Sequence, residues 1–171
     1  MNERHLEKRI LGIDPMYRGF GYVVFEGPDL LIDWGVRRVT GEKNLASISA
    51  FSQLIRRYRP DDFAIEDVNA KSCDRGQRVR TLIVALEDHA RESGLAVRRV
   101  SSAAVKKAFL AKSARNKHQI AQFIAAHFPE LATYIPPERK PWMSESVNMA
   151  IFDAAAFALV TFEPSWMCEY E

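Results

Sequence analysis

Three acidic residues stand where packing alone does not account for them. Asp14 closes the apolar run Ile10-Leu11-Gly12-Ile13, Glu66 closes Phe63-Ala64-Ile65, and Asp153 interrupts Met149-Ala150-Ile151-Phe152-Asp153-Ala154-Ala155-Ala156-Phe157-Ala158. A buried strand or helix would have to desolvate each carboxylate, which is costly without a partner. Plainer readings stand beside this one: Asp14 opens a turn before Pro15, and Asp153 faces water on the far side of its helix. If folding gathers the three acids, their like charges stay ionised only beside a cation. Carboxylate-only ligation suits hard, oxygen-seeking ions such as Mg²⁺ or Mn²⁺ rather than zinc. Two such ions about 4 Å apart can activate a water and stabilise the leaving oxygen of a phosphodiester. Metal-dependent phosphodiester hydrolysis is therefore the chemistry these residues could carry.

The elements that must position them are read from periodicity. Arg9 to Val24 forms two antiparallel strands around a turn holding Pro15 and Gly19, and Leu30 to Val39, after Gly27-Pro28-Asp29, adds a third to make a meander. Leu45, Ile48, Phe51, Ile55 and Tyr58 then fall at helical spacing, with Asn44 as N-cap, Pro60 beyond the end, and Arg56, Arg57 and Arg59 complementing the macrodipole. Phe63–Glu66 is a fourth strand, and a polar loop, Asn69 to Gly76, leads to a helix with Val79, Leu82, Ile83, Leu86 and Ala90 on one face. Leu95–Val100 is the fifth strand. Ser102 caps a short helix bearing Val105, Lys106, Lys107, Phe109 and Leu110; a basic link, Lys112–Lys117, precedes a helix striped by Ile120, Phe123, Ile124, His127 and Phe128. Pro129 to Pro141 is a loop, because prolines at that density do not continue a helix. A last helix starts at Ser144 and runs to about Phe162, before Pro164, with Val147, Ile151, Ala154, Ala155 and Ala158 as its apolar face. His89 reads as a surface or helix-end residue, not a metal ligand, His118 as a surface residue and His127 as core-edge. If the first and fourth strands lie side by side and parallel, Asp14 and Glu66 meet at one sheet edge, and the small-residue face of the last helix brings Asp153 over it.

Composition narrows the class. At 171 residues and 47% hydrophobic, the chain supports one core, expected as a single domain over 1–171. Met1–Lys8 is charged, and no run approaches the roughly 18 apolar residues of a membrane span, so a cytoplasmic protein is expected. Cys73 and Cys168 lack the spacing of a zinc site or disulfide framework, which fits a reducing compartment. The net charge of +2 hides a segregation. Lys71–Lys117 holds twelve basic and four acidic residues, a surplus of eight, and the rest of the chain is net acidic. Such a middle is either a solvated face or a nucleic-acid surface, with Arg75 and Arg78 as candidate contacts.

Ile10-Leu11-Gly12-Ile13-Asp14-Pro15 with Gly21-Tyr22, then Ala64-Ile65-Glu66, then Asp153-Ala154-Ala155-Ala156-Phe157-Ala158-Leu159 resembles, in order, the three acidic signatures of RuvC-type Holliday-junction resolvases of the RNase H-like superfamily. The resemblance implies an α/β fold, RNase H-like, with a five-stranded mixed sheet of three antiparallel strands followed by parallel ones, flanked by helices. It further implies Mg²⁺ or Mn²⁺ at Asp14, Glu66 and Asp153, a homodimer, and symmetrical incision of four-way DNA. Lys106 and Lys117 take a role near the scissile phosphate, with Lys107 a weaker candidate. The sequence departs from the family in having Met16 where glycine follows Asp-Pro, Asn69 where an aromatic wedges into the junction, and Ala150 and Ala156 where a second C-terminal acid stands. The fourth ligand is then Glu145, Asp67 or water. Trp142 either packs or makes a family-specific contact. Two alternatives keep the fold: a catalytically silent nucleic-acid-binding module and an RNA-directed protein. A sugar-kinase or actin-type phosphotransferase needs two such domains and a glycine-rich nucleotide loop, and length makes it the least expected reading.

Overall fold

The first two strands are apolar on both faces because both faces are covered. In the computed structural model, which describes residues 7–162, β1 (Arg9–Met16) and β2 (Gly19–Glu26) are buried along nearly their whole length. With β3 (Leu31–Arg38), β4 (Asp62–Glu66) and β5 (Ala96–Val100) they form one sheet in the order β3-β2-β1-β4-β5. β1 pairs antiparallel with β2 and parallel with β4, and β4 runs parallel to β5. This is the mixed sheet expected from sequence. The turn after β1 is Tyr17-Arg18, and its positive φ falls at Gly19, +118°. Met16 therefore stays in the strand, and a glycine is needed only at the turn's exit.

Alternation along the strands separates two apolar layers. Leu11, Ile13, Phe20, Val24, Phe63 and Ile65 pack under α1 (Lys43–Tyr58) and α2 (Gln77–Glu92). Ile10, Val23, Ala64 and Val100 face α3 (Ser102–Leu110), α4 (Lys117–His127) and α5 (Met149–Thr161). Even-numbered positions of β1 and β4 thus point toward α5. Gly12 pairs with Ala64, and two residues further along each strand stand Asp14 and Glu66. Parity and register together aim both carboxylates at α5.

Helix α5 lies almost directly on the sheet. A Cβ at Gly12 would come within 2.5 Å of the Ala154 carbonyl oxygen, and one at Gly21 within 2.4 Å of the Ala150 carbonyl carbon. Every residue from Met149 to Leu159 is buried except Asp153. The helix is therefore enclosed on all sides, and not amphipathic with one apolar face as its spacing suggested. Val147 lies outside it and is exposed.

Several element boundaries differ from the sequence expectation. α5 starts at Met149, five residues after Ser144, and its first turn closes through Met149 N–H to Ser146 O (3.0 Å), Ala150 to Val147 O (3.2 Å) and Ile151 to Asn148 O (3.1 Å). Ser144 cannot cap it, because residues 144–146 run irregularly while Glu145 reaches Lys117. α1 is capped by the Glu42 carboxylate, which accepts from the backbone of Asn44 and Leu45; Asn44 lies inside the helix and Leu45 faces solvent. Ser101, not Ser102, caps α3 by accepting from Ala104 N–H at 3.0 Å. Pro129–Tyr134 forms a 3-10 helix with Pro129 in its first turn, where a missing N–H costs nothing; the remaining prolines lie beyond it. Trp142 is 78% exposed, so it is not a packed aromatic. His118 is half-buried with its Nδ1 unpaired, and so is not a fully exposed surface residue; His89 lies in the last turn of α2 as expected, half-buried with its ring 6.0 Å from that of Phe51. His127 sits at the core edge as expected, its Nδ1 2.9 Å from Phe123 O. Cys168 and Pro164 lie outside the described residues.

Gly21→Ala drives a methyl group into the Ala150 backbone. We expect it to lower unfolding free energy by about 2–3 kcal/mol or more in urea titration, as overpacking does. A Tm equal to the unsubstituted chain would show that α5 is not seated this closely.

Candidate active site

The two carboxylates at the ends of the adjacent parallel strands are buried, Asp14 at 5% exposure and Glu66 at 6%. A cation from the loop between β4 and α2 spans them. The Arg75 guanidinium donates Nη2 to Asp14 Oδ1, Nε to Glu66 Oε2 (3.0 Å) and Nη1 to the Pro15 carbonyl (2.9 Å). That loop is itself pinned by Arg80, which donates to the carbonyls of Val68 (2.8 Å), Cys73 (2.9 Å) and Arg75 (2.8 Å). Cys73 adds a weak Sγ contact to Glu66 Oε2 at 3.4 Å.

The third acid comes from α5. Asp153 is half-buried, and its Oδ2 accepts from Lys117 Nζ at 3.1 Å. Lys117 opens α4 and also reaches Glu145 Oε1 at 2.7 Å. Asp14, Glu66, Asp153 and Glu145 line one cavity of about 620 Å³ with Arg75, Lys106 and Lys117. Of the remaining candidates, Lys107 is exposed and does not line that cavity, and Arg78 sits beyond its lining, bound to Asn44 Oδ1 and Tyr17 O at 3.1 Å each. Asp67 is engaged in its own turn, accepting from Asn69 N–H at 3.0 Å, and does not face the cavity. Glu145 and Asp74 are the further acids that line the cavity with the three.

Burial governs the electrostatics. Desolvation, and then the charge of Asp153, push the Asp14 pKa up to about 7 against the pull of Arg75 and Lys117. Asp153 is also raised, by desolvation against Lys117. Desolvation works against the charged forms of Arg75 and Lys117, yet the carboxylates outweigh it and hold both cations above their ordinary pKa. Among the described residues, no three His, Cys, Asp or Glu side chains converge closely enough to hold one metal ion. The Arg75 guanidinium lies between Asp14 and Glu66, and the Lys117 ammonium lies at Asp153. The donor set still fits a hard divalent cation by chemistry: it consists of carboxylate oxygens around one cavity.

Arg75, expected from the basic segment as a nucleic-acid contact, instead bridges two acids. Arg80 was not singled out at all. Neither carries a motif, because a loop arginine's reach is decided by where the loop folds.

The mixed sheet with carboxylates at adjacent strand ends defines an RNase H-like nuclease class of fold. Among solved structures, Thermus thermophilus RuvC in complex with a Holliday junction substrate superposes with a TM-score of 0.64 at 18% identity, covering 90% of this chain and 92% of that one. The yeast mitochondrial Holliday junction resolvase Ydc2 gives a TM-score of 0.54 at 12% identity, over 99% and 87%. The family profile described as crossover junction endodeoxyribonuclease RuvC matches residues 10–152, ending one residue before Asp153. Curated proteins of that name from Marinobacter nauticus and Caulobacter vibrioides are 36% and 34% identical, covering 68% and 75% of this chain and 71% and 82% of theirs. The chain belongs to the RuvC family. Among the described residues, no helix is long and apolar enough to cross a membrane.

The raised Asp14 pKa has a stability consequence. The folded chain binds this proton more tightly than the unfolded chain, so the group's contribution falls as pH rises from about 4 to about 7 and stays low above that. Asp14→Asn is expected to melt at a higher temperature than the unsubstituted chain at pH 8, with the gap closing toward pH 4. A pH-independent gap in differential scanning fluorimetry would contradict this.

Proposed function

We propose that the protein is a metal-dependent endonuclease that resolves four-way DNA junctions, acting in recombination and repair in the cytoplasm. The observation that supports it most is the gathering of Asp14, Glu66 and Asp153, from two adjacent strand ends and the enclosed helix, around one cavity that Lys106 and Lys117 also line. The curated relatives are named crossover junction endodeoxyribonucleases.

Asp14, Glu66 and Asp153 would hold Mg²⁺ or Mn²⁺, with Glu145 as the further carboxylate. Held there, such an ion would supply a water made nucleophilic near neutral pH and positive charge at the leaving oxygen. The chain's own residues do the rest. Lys106, exposed on the wall formed by α3, offers its ammonium to a phosphodiester entering the cavity. Lys117, held by Asp153 and Glu145, is positioned to contact the phosphate oxygens beside the cut. Arg75 keeps Asp14 and Glu66 facing one another. A junction has two equivalent strands to cut, and a homodimer with two-fold symmetry presents one such cavity to each.

The test is cleavage of synthetic four-way DNA junctions with Mg²⁺ or Mn²⁺. Asp14→Asn, Glu66→Gln and Asp153→Asn should each lose about 100-fold or more in rate, and Lys117→Ala should lose rate with little change in junction affinity. Full activity in Asp14→Asn would reject the assignment. A second reading is favoured by the Arg75 bridge, which engages oxygens that an ion would use: a binding module without catalysis. It requires salt-sensitive junction binding and no product with any divalent ion, and a branched RNA of the same shape separates an RNA-directed form.

A further inference from the structure

The turn between β1 and β2 presents an aromatic ring that the core does not use. Tyr17 is 69% exposed. Three cations from three parts of the fold gather on that ring. Lys43 Nζ, from the start of α1, lies 3.5 Å from its centroid; the guanidinium carbons of Arg78, in the first turn of α2, and of Arg18 lie 5.7 and 5.8 Å away.

This cluster is braced and not a chance of long side chains. Arg78 donates to the Tyr17 carbonyl and to Asn44 Oδ1, and Asn44 returns Nδ2 to Arg78 O at 3.4 Å. Val39 N–H donates to the Arg18 carbonyl at 3.3 Å. Arg9, Arg75, Arg91, Arg98 and Arg99 all pair with carboxylates, whereas among the described residues Arg18, Lys43 and Arg78 make no ion pair. Three positive charges held around one ring repel one another. The ring face offsets part of that repulsion, and a bound anion would offset more. The same charges, Lys43 foremost through its hydrogen bond, hold the Tyr17 hydroxyl below its ordinary pKa.

Position supplies the identity of the anion. Tyr17, Arg18 and Arg38 line the same cavity as Asp14, Glu66 and Asp153, while Lys43 and Arg78 stand against the Tyr17 ring outside that lining. A ligand there would run directly from the cationic ring to the acids. A plain duplex backbone would use the cations but leave the ring without a purpose. A nucleotide whose base has left its stack uses both, since a base has a π-face to lay on tyrosine and a phosphate for the cations. We infer that Tyr17, Lys43 and Arg78 form a nucleotide subsite, in which an unstacked base near the branch point stacks on Tyr17 and its flanking phosphate lies on Lys43 and Arg78. This rests on the junction-resolving reading and names the part of the junction this lip engages.

The test is equilibrium binding of the full chain to a four-way DNA junction carrying 2-aminopurine beside the branch point, with EDTA present so that binding is read without cleavage. Tyr17→Ala should weaken junction binding by about 5- to 100-fold and abolish the 2-aminopurine fluorescence change, while leaving linear-duplex affinity unchanged. Tyr17→Phe should retain both, because the ring carries the interaction. Lys43→Ala and Arg78→Ala should each reduce the salt slope of binding by about one, and Tyr17→Ala should not. Junction affinity within twofold of the unsubstituted chain in Tyr17→Ala, or a Phe variant as weak as the Ala variant, overturns the subsite. Failure of the unsubstituted chain to bind any junction overturns the junction reading itself, and the subsite with it.

Discussion

Carboxylates confined around a single cavity repel one another, and the surrounding structure is arranged to make that tolerable. Two cations do so here, each shared between two acids: Arg75 between Asp14 and Glu66, and Lys117 between Asp153 and Glu145. The sharing divides the cluster into a strand pair and a helix-and-loop pair that face each other across the cavity. The loop that carries Arg75 is held by Arg80 through three backbone carbonyls. Compensation remains incomplete, as the raised Asp14 and Asp153 pKa values show. Perturbed acids of this kind concentrate where chemistry is done, since a fold selected for stability alone would have removed them.

A geometric constraint sits beneath the electrostatic one. Asp153 reaches the strand ends because α5 packs with almost no clearance on β1 and β2, where Gly12 and Gly21 meet the backbone at Ala154 and Ala150. Any larger side chain at those glycines would lift the helix. The conformational freedom lost at two strand glycines is accepted in exchange for proximity. Enclosure also explains why α5 carries a single polar side chain along its buried length: only the position that faces the cavity can be solvated or paired.

Much of the fold was legible in the residues. Continuous apolar runs in β1, β2 and β4 marked strands covered on both faces, and the stripe Val79, Leu82, Ile83, Leu86 and Ala90 marked α2. Failures fell at helix starts, where side-chain geometry chooses among neighbouring cap formers. Glu42 was preferred over Asn44, and Ser101 over Ser102, because their oxygens reach the free N–H groups. The start of α5 was misjudged for a different reason: Ser144 has the right chemistry, but the Glu145 contact to Lys117 draws that segment away from the helix.

The same division holds for the site. Local pattern determined which acids had no packing rationale, since a carboxylate ending or interrupting an apolar run is visible without coordinates. Tertiary structure alone decided which cations answer them. Arg75, Lys117 and Arg78 read alike in sequence as members of a basic middle segment, yet one bridges two acids, one joins helix to loop, and one braces an exposed tyrosine. Long flexible side chains take their partners from whatever the backbone brings within reach, and that is a property of chain crossings many residues apart, which local periodicity does not encode.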